Sequence, residues 1–221
     1  MGKAARWGGL LLGVAASAPL GAQQLSTLCE STRKMSVGQW ASYTVTGGKA
    51  NGDQMRFAIV GTEKRGDSTL YWFEISHKGA DAAQNGVMQM LVPNFDAQGG
   101  GIRGMIMKMG AQPAMRMPEQ MISMMGQRSG QNPALEITRR CLAAQVIGTE
   151  TVSVPAGSMS TLHLKGSDGG EAWMSSDVPF GIVKVITKDN ATMVLTGRGM
   201  DAKSSITETP QEMPMMPGMN R

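Results

Sequence analysis

The chain is poor in the residues that catalysis uses. It has two histidines, His77 and His163, and two cysteines, Cys29 and Cys141. Neither histidine belongs to a nucleophile motif, and no G-x-S-x-G, H-E-x-x-H, paired C-x-x-C or G-x-x-x-x-G-K-[ST] occurs. The carboxylates are scattered, and most, such as Asp53, Asp67, Asp81 and Asp168, fall at turns, where solvation is reason enough for them. A non-catalytic protein without cofactor is expected. Beyond Lys64-Arg65 and Arg139-Arg140 there is no basic cluster. A nucleic-acid partner, which requires a stripe of Lys and Arg, is set aside. The longest apolar run, Trp7 to Ala16, is too short and too glycine-rich to span a bilayer, which takes roughly 20 residues. No transmembrane span is expected.

That run has another reading. Lys3 and Arg6 precede it, and small residues follow at Ala16-Ser17-Ala18 and Gly21-Ala22. This is the layout of a secretory signal peptide covering 1–22, cut after Ala22, with Ala18 as the other possible site. Removing Lys3 and Arg6 lowers the formal net charge from +4 to +2. The expected location is periplasmic or secreted. Leu25-Ser26-Thr27-Leu28-Cys29 has the outline of a lipoprotein box, but Leu28 occupies the position that needs a small residue. In an oxidising compartment Cys29 and Cys141 are expected to pair. Such a bridge would close more than 100 residues and contribute about 4–5 kcal/mol through loop-closure entropy. The alternative is two buried thiols.

Along the mature chain the apolar period is mostly two. Gln24 to Met35 reads as a short helix. Strands follow in "QWASYTV", around Met55-Phe57-Ile59, in "STLYWFEIS", "GVMQMLVP" and "IRGMIMKM". The period then turns helical after Pro118, which suits a first turn, with Glu119 favouring the helix N-terminus. A second short helix is expected from Asn132-Pro133 to about Cys141. The remainder is β again: "QVIGTETVSV", "SMSTLHLK", "EAWMS", "IVKVIT" and "TMVLTGRG". The sum is a mainly β (α+β) domain over 23–205. It is a curled antiparallel sheet of about ten strands with an N-terminal helix and a central helical lid. The Met- and Pro-rich residues 206–221 are expected to be a flexible tail.

What the chain has in excess is methionine: 21 in all, eight of them between Met105 and Met125. Met105, Met107 and Met109 would share one strand face. Met121, Met124 and Met125 would lie on the helix Pro118–Arg128. Thioethers suit Cu(I), but this segment has no His or Cys beside them. Met also re-packs around varied apolar guests, through three soft torsions and a polarisable sulfur. A closed core with no guest would use the same residues.

"VPAGSMSTLHL", "GEAWMSSDVPFGIVKV" and "MVLTGRG" resemble the strand–turn–strand layout of exported β-rich proteins of the LolA/LolB-like superfamily of periplasmic lipoprotein carriers. The matching positions are structural: the Val154-Pro155-Ala156-Gly157 turn and the acidic-Val-Pro-Phe-Gly link, Asp177 to Gly181. The resemblance implies an antiparallel half-barrel with helices over its concave face; in the carriers an acyl chain lies between the two. The expected role is binding of a lipid or other apolar ligand in a cavity lined by Met105, Met107, Met109, Met121, Met124 and Met125, with Trp40 or Tyr43. The alternatives are a Cu(I)-binding protein, or a structural envelope protein with an envelope partner and no ligand.

Overall fold

A computed structural model describes residues 20–48, 51–94, 101–129 and 139–214. Residues 1–19 of the expected leader, the start of the second helix and the last residues of the tail lie outside them; Leu20 to Ala22, expected to end the leader, are helical, and the first helix ends at Ser31 rather than Met35. A helix α1 (Leu20–Ser31) opens the fold. The strands are β1 (Trp40–Thr46), β2 (Gln54–Arg65), β3 (Ser68–Lys78), β4 (Gly86–Pro93), β5 (Gly104–Met109) and β6 (Met115–Arg116). After helix α2 (Glu119–Ser129) come β7 (Gln145–Val154), β8 (Gly157–Lys165), β9 (Glu171–Met174), β10 (Ile182–Ile186), β11 (Thr192–Gly199) and β12 (Gln211–Glu212). All twelve belong to one curled open sheet, in the order β12-β6-β5-β4-β3-β2-β1-β11-β10-β9-β8-β7. Every pairing is antiparallel except the parallel contact of β12 with β6. The two strands beyond the expected ten, β6 and β12, are two residues each, too short to carry a period.

The alternation read from the sequence sets the faces. In β1, Ala41, Tyr43 and Val45 are buried while Trp40, Ser42 and Thr44 are half-buried on the other side. Tyr43, Phe57, Phe73, Phe180, Met90, Met105 and Leu195 form the main core on the concave side. The curl brings the β7–β8 turn back over β11, where the Ala156 amide donates to the Leu195 carbonyl at 3.3 Å. Ile122 of α2 is buried in this core. The Pro118 carbonyl accepts from the Met121 and Ile122 amides, so the helix begins at the expected proline.

Cys29 and Cys141 form a disulfide, and both are buried. It ties α1 to a smaller cluster of Leu28, Leu162, Leu164 and Met174. Residues 139–143 are helical, consistent with the end of the second short helix. Among the described residues no helix is long and apolar enough to cross a membrane.

The chain after 205 differs from a mobile tail as far as it is described. Residues 200–214 cross the convex side of the sheet as a strap. The Trp40 indole donates to Asp201 at 2.7 Å, and the Ala202 amide to the Gly38 carbonyl at 2.8 Å. Ile206 is buried with Ile106 and Ala114, against Trp72 and Val87. Lys108 pairs with Glu208, and the Gln211 and Met213 amides donate to the Ala114 and Arg116 carbonyls. The apolar Ile206 and this run of backbone bonds hold the segment that composition alone marks as loose. Residues 215–221 lie outside the described chain.

Candidate functional site

The methionines gather more tightly than the run Met105–Met125 implies. Met105 pairs with Met90 across β4 and β5, and the Met117 amide donates to the Met105 carbonyl. One step along, Met88, Met107 and Met115 stand opposite one another on β4, β5 and β6. Two cross-strand rows of three thioethers thus share the concave face. Met105 is 5% exposed and Tyr43 1%. Met107 and Met121 are half-buried against the same core. Tyr43 donates its hydroxyl to the Ile182 carbonyl at 3.2 Å, and burial pushes its phenol pKa up.

Three expected lining residues do not join this group. Met109, at the end of β5, is 47% exposed, and Met124 is 38% exposed because the buried face of α2 centres on Ile122. Trp40 lies on the opposite sheet face, with the Arg56 guanidinium 5.2 Å above its ring. The side chain of Met125 lies outside the described ones. Met88 and Met90 belong to the rows although the sequence reading did not single them out; their i, i+2 spacing in "GVMQMLVP" was the signal.

A second apolar feature lies beside the disulfide. A pocket of about 370 Å³ is lined by Cys141, Leu164, Ala172, Met174, Ile182 and Val185, with Arg140, Asp168 and Lys188 among its rim residues. None of the expected ligand-binding residues lines it.

The convex face is polar. Register places Lys108, Val87, Ser76, Arg56 and Ser42 in one row across β5 to β1, with Lys78, Gln54 and Thr44 in the next. With the strap residues Lys203 and Ser205 they border an open groove of about 690 Å³. Beside it Glu74 is 1% exposed. Its carboxylate accepts from Gln89 at 2.8 Å, from the Ser205 amide at 2.9 Å and from the Ser205 hydroxyl at 2.7 Å, with Arg56 at 3.7 Å. Desolvation of this carboxylate is thus offset by donors from both sheet and strap.

The histidines have structural partners. His77 Nε2 lies 2.8 Å from Asp53. His163 stands between Glu150 at 3.1 Å and Glu171 at 3.0 Å, and stacks on Trp173 with ring centroids 4.2 Å apart. Glu171, half-buried, is held below the usual carboxylate range, first by its hydrogen bond with His163. Among the described residues no group of three His, Cys, Asp or Glu side chains could hold a metal ion.

No protein-family model and no curated protein matches the chain. Solved structures do. One is a candidate lipoprotein from Parabacteroides distasonis ATCC 8503, 11% identical, covering 74% of this chain and 96% of that one, with a TM-score of 0.35. Another is a candidate exported protein with YmcC-like fold from Bacteroides fragilis NCTC 9343, 11% identical over the same shares, with a TM-score of 0.34.

Proposed function

We propose that this is an exported, non-catalytic protein that binds a lipid or other apolar molecule on the concave, methionine-bearing side of its sheet. One observation carries the reading. Around the sealed core, Met88, Met107, Met121 and Met193 are only half-buried, together with Tyr71 and Ile75. A core built for stability alone gains most from complete burial, about 1.5–3 kcal/mol per large apolar side chain. A rim of deformable thioethers left partly open suits a guest of variable shape. The sequence resemblance to LolA/LolB-like carriers points to the same side of the sheet and to an acyl chain as guest. The pocket beside the disulfide adds apolar space at the low end of the roughly 300–1,000 Å³ usual for small-molecule sites.

Native mass spectrometry of protein purified from its own envelope is expected to show a bound lipid mass, lost in the M107D/M121D variant while the fold persists. A mass free of ligand would overturn the reading. So would tight Cu(I) binding that disappears on Met88→Leu and Met107→Leu, which the cross-strand thioether rows make the alternative to test.

A further inference from the structure

We infer that the groove under the C-terminal strap is a binding site for a phosphate-bearing polar molecule, independent of the apolar site on the other side of the sheet. Its charged lining is of one sign. Arg56, Lys78, Lys108 and Lys203 border it, and no carboxylate does. They come from four separate elements, β2, β3, β5 and the strap, so a ligand between them meets cations from several directions.

The nearby carboxylates leave part of this charge uncommitted. Glu208 pairs with Lys108, Asp53 with His77, and Asp201 takes the Trp40 indole. Glu74 faces Arg56 at 3.7 Å, a long contact, and its oxygens already accept three shorter hydrogen bonds. Among the described residues neither Lys78 nor Lys203 has a carboxylate within 4.0 Å, although Asp201 feels Lys203 at longer range. One ammonium thus stands on the sheet and one on the strap with no ion-pair partner. A concavity lined by one sign of charge concentrates the field and draws in anions. Lysines and a guanidinium around a tetrahedral oxyanion supply charge-assisted donors.

Size fixes the rest of the ligand. About 690 Å³ is far more than an inorganic ion needs. The hydroxyls of Ser42, Thr44 and Thr196 border the same space and suit a polar body rather than an alkyl chain. The phosphate group could belong to a soluble ester or to the headgroup of an anionic phospholipid.

Two probes separate those sources: glycerol 3-phosphate, followed by isothermal titration, and phosphatidylglycerol vesicles, followed by co-sedimentation against phosphatidylcholine vesicles. The full mature chain is expected to bind at least one saturably, more weakly as salt rises. K78Q/K203Q, two exposed positions whose change spares the fold, is expected to weaken that binding roughly tenfold or more, whereas K34Q/K64Q, outside both the groove and the apolar pocket, leaves it unchanged. Binding of the ester assigns a soluble ligand, and binding of vesicles alone assigns a headgroup. Absence of binding to both probes, or equal binding by K78Q/K203Q and the parent chain, would overturn the site. Neither result bears on the apolar ligand, whose test reads a different mass.

Discussion

Phe180 and Gly181 hold consecutive left-handed backbone conformations, with φ of 64° and 76°. The first residue meets the cost of that region in exchange for placing its ring among Phe57 and Phe73, at centroid distances of 6.1 and 5.6 Å. Such ring pairs contribute about 0.5–1.5 kcal/mol beyond their area. The second residue must be glycine for two reasons. A side chain in this region costs roughly 1–2 kcal/mol. A Cβ there would also stand 2.3 Å from Thr32 Cγ2, on the turn that follows α1. Gly181→Ala is therefore expected to lose at least about 2 kcal/mol, or roughly 4–8 °C in Tm for a domain of this size. Adding Thr32→Ser removes the clashing methyl and keeps the hydroxyl that donates to the Cys29 carbonyl at 2.9 Å. G181A/T32S should recover part of the loss, which a double-mutant cycle in urea reads directly. A G181A midpoint equal to that of the parent would refute the argument.

At the scale of elements, the strap is held by contacts that titrate. Near one end Asp201 is kept below the usual carboxylate range, first by the Trp40 indole; further along, Glu208 is kept low, first by Lys108. A carboxyl whose pKa is lower in the folded chain contributes stability that is complete above the unfolded value, about 4. That contribution is lost as pH falls through the lowered folded value. The Ala202, Ile206 and Gln211 amides should thus lose protection, relative to their intrinsic exchange rates, below about pH 4, while the β2–β3 amides hold theirs. D201N/E208Q should flatten this difference. Hydrogen exchange by mass spectrometry decides it, and strap protection that does not change with pH would sink the idea. The same element marks where sequence reading stops. Strands β1 to β5 and β7 to β11 were legible because a half-buried strand alternates with period two. The strap has no period. Its anchor Glu74 lies 131 residues from Ser205, so a lone carboxylate inside "STLYWFEIS" was the only trace of it. The burial of the methionines was legible for Met105, Met107 and Met121, whose faces follow from local spacing. It was not legible for Met109 and Met124, whose exposure depends on where β5 ends and which way α2 is turned.

Across the whole molecule the chain's first strand is central to the sheet: β1 pairs with β2 on one side and with β11, near the far end of the sequence, on the other. Closing the sheet therefore requires a long-range pairing that brings the two β meanders together. The disulfide lowers the entropy cost of that closure. It joins the helix preceding β1 to the segment preceding β7 across 112 residues, and fixes α1 over the β7–β9 end. A loop of that length corresponds to about 4–5 kcal/mol. Both sulfurs are buried, so the folded protein should resist mild reductant, and reduction should proceed through unfolding. The C29A/C141A variant is expected to lose that amount, corresponding to roughly 8–20 °C in Tm at 2–4 °C per kcal/mol. Because β1 depends on contacts from both meanders, the loss should appear as one cooperative transition at a lower denaturant midpoint, followed by circular dichroism. An unchanged midpoint would show that the sheet closes without the bridge. Two separated transitions would show that the meanders fold as independent units, and that β1 does not couple them.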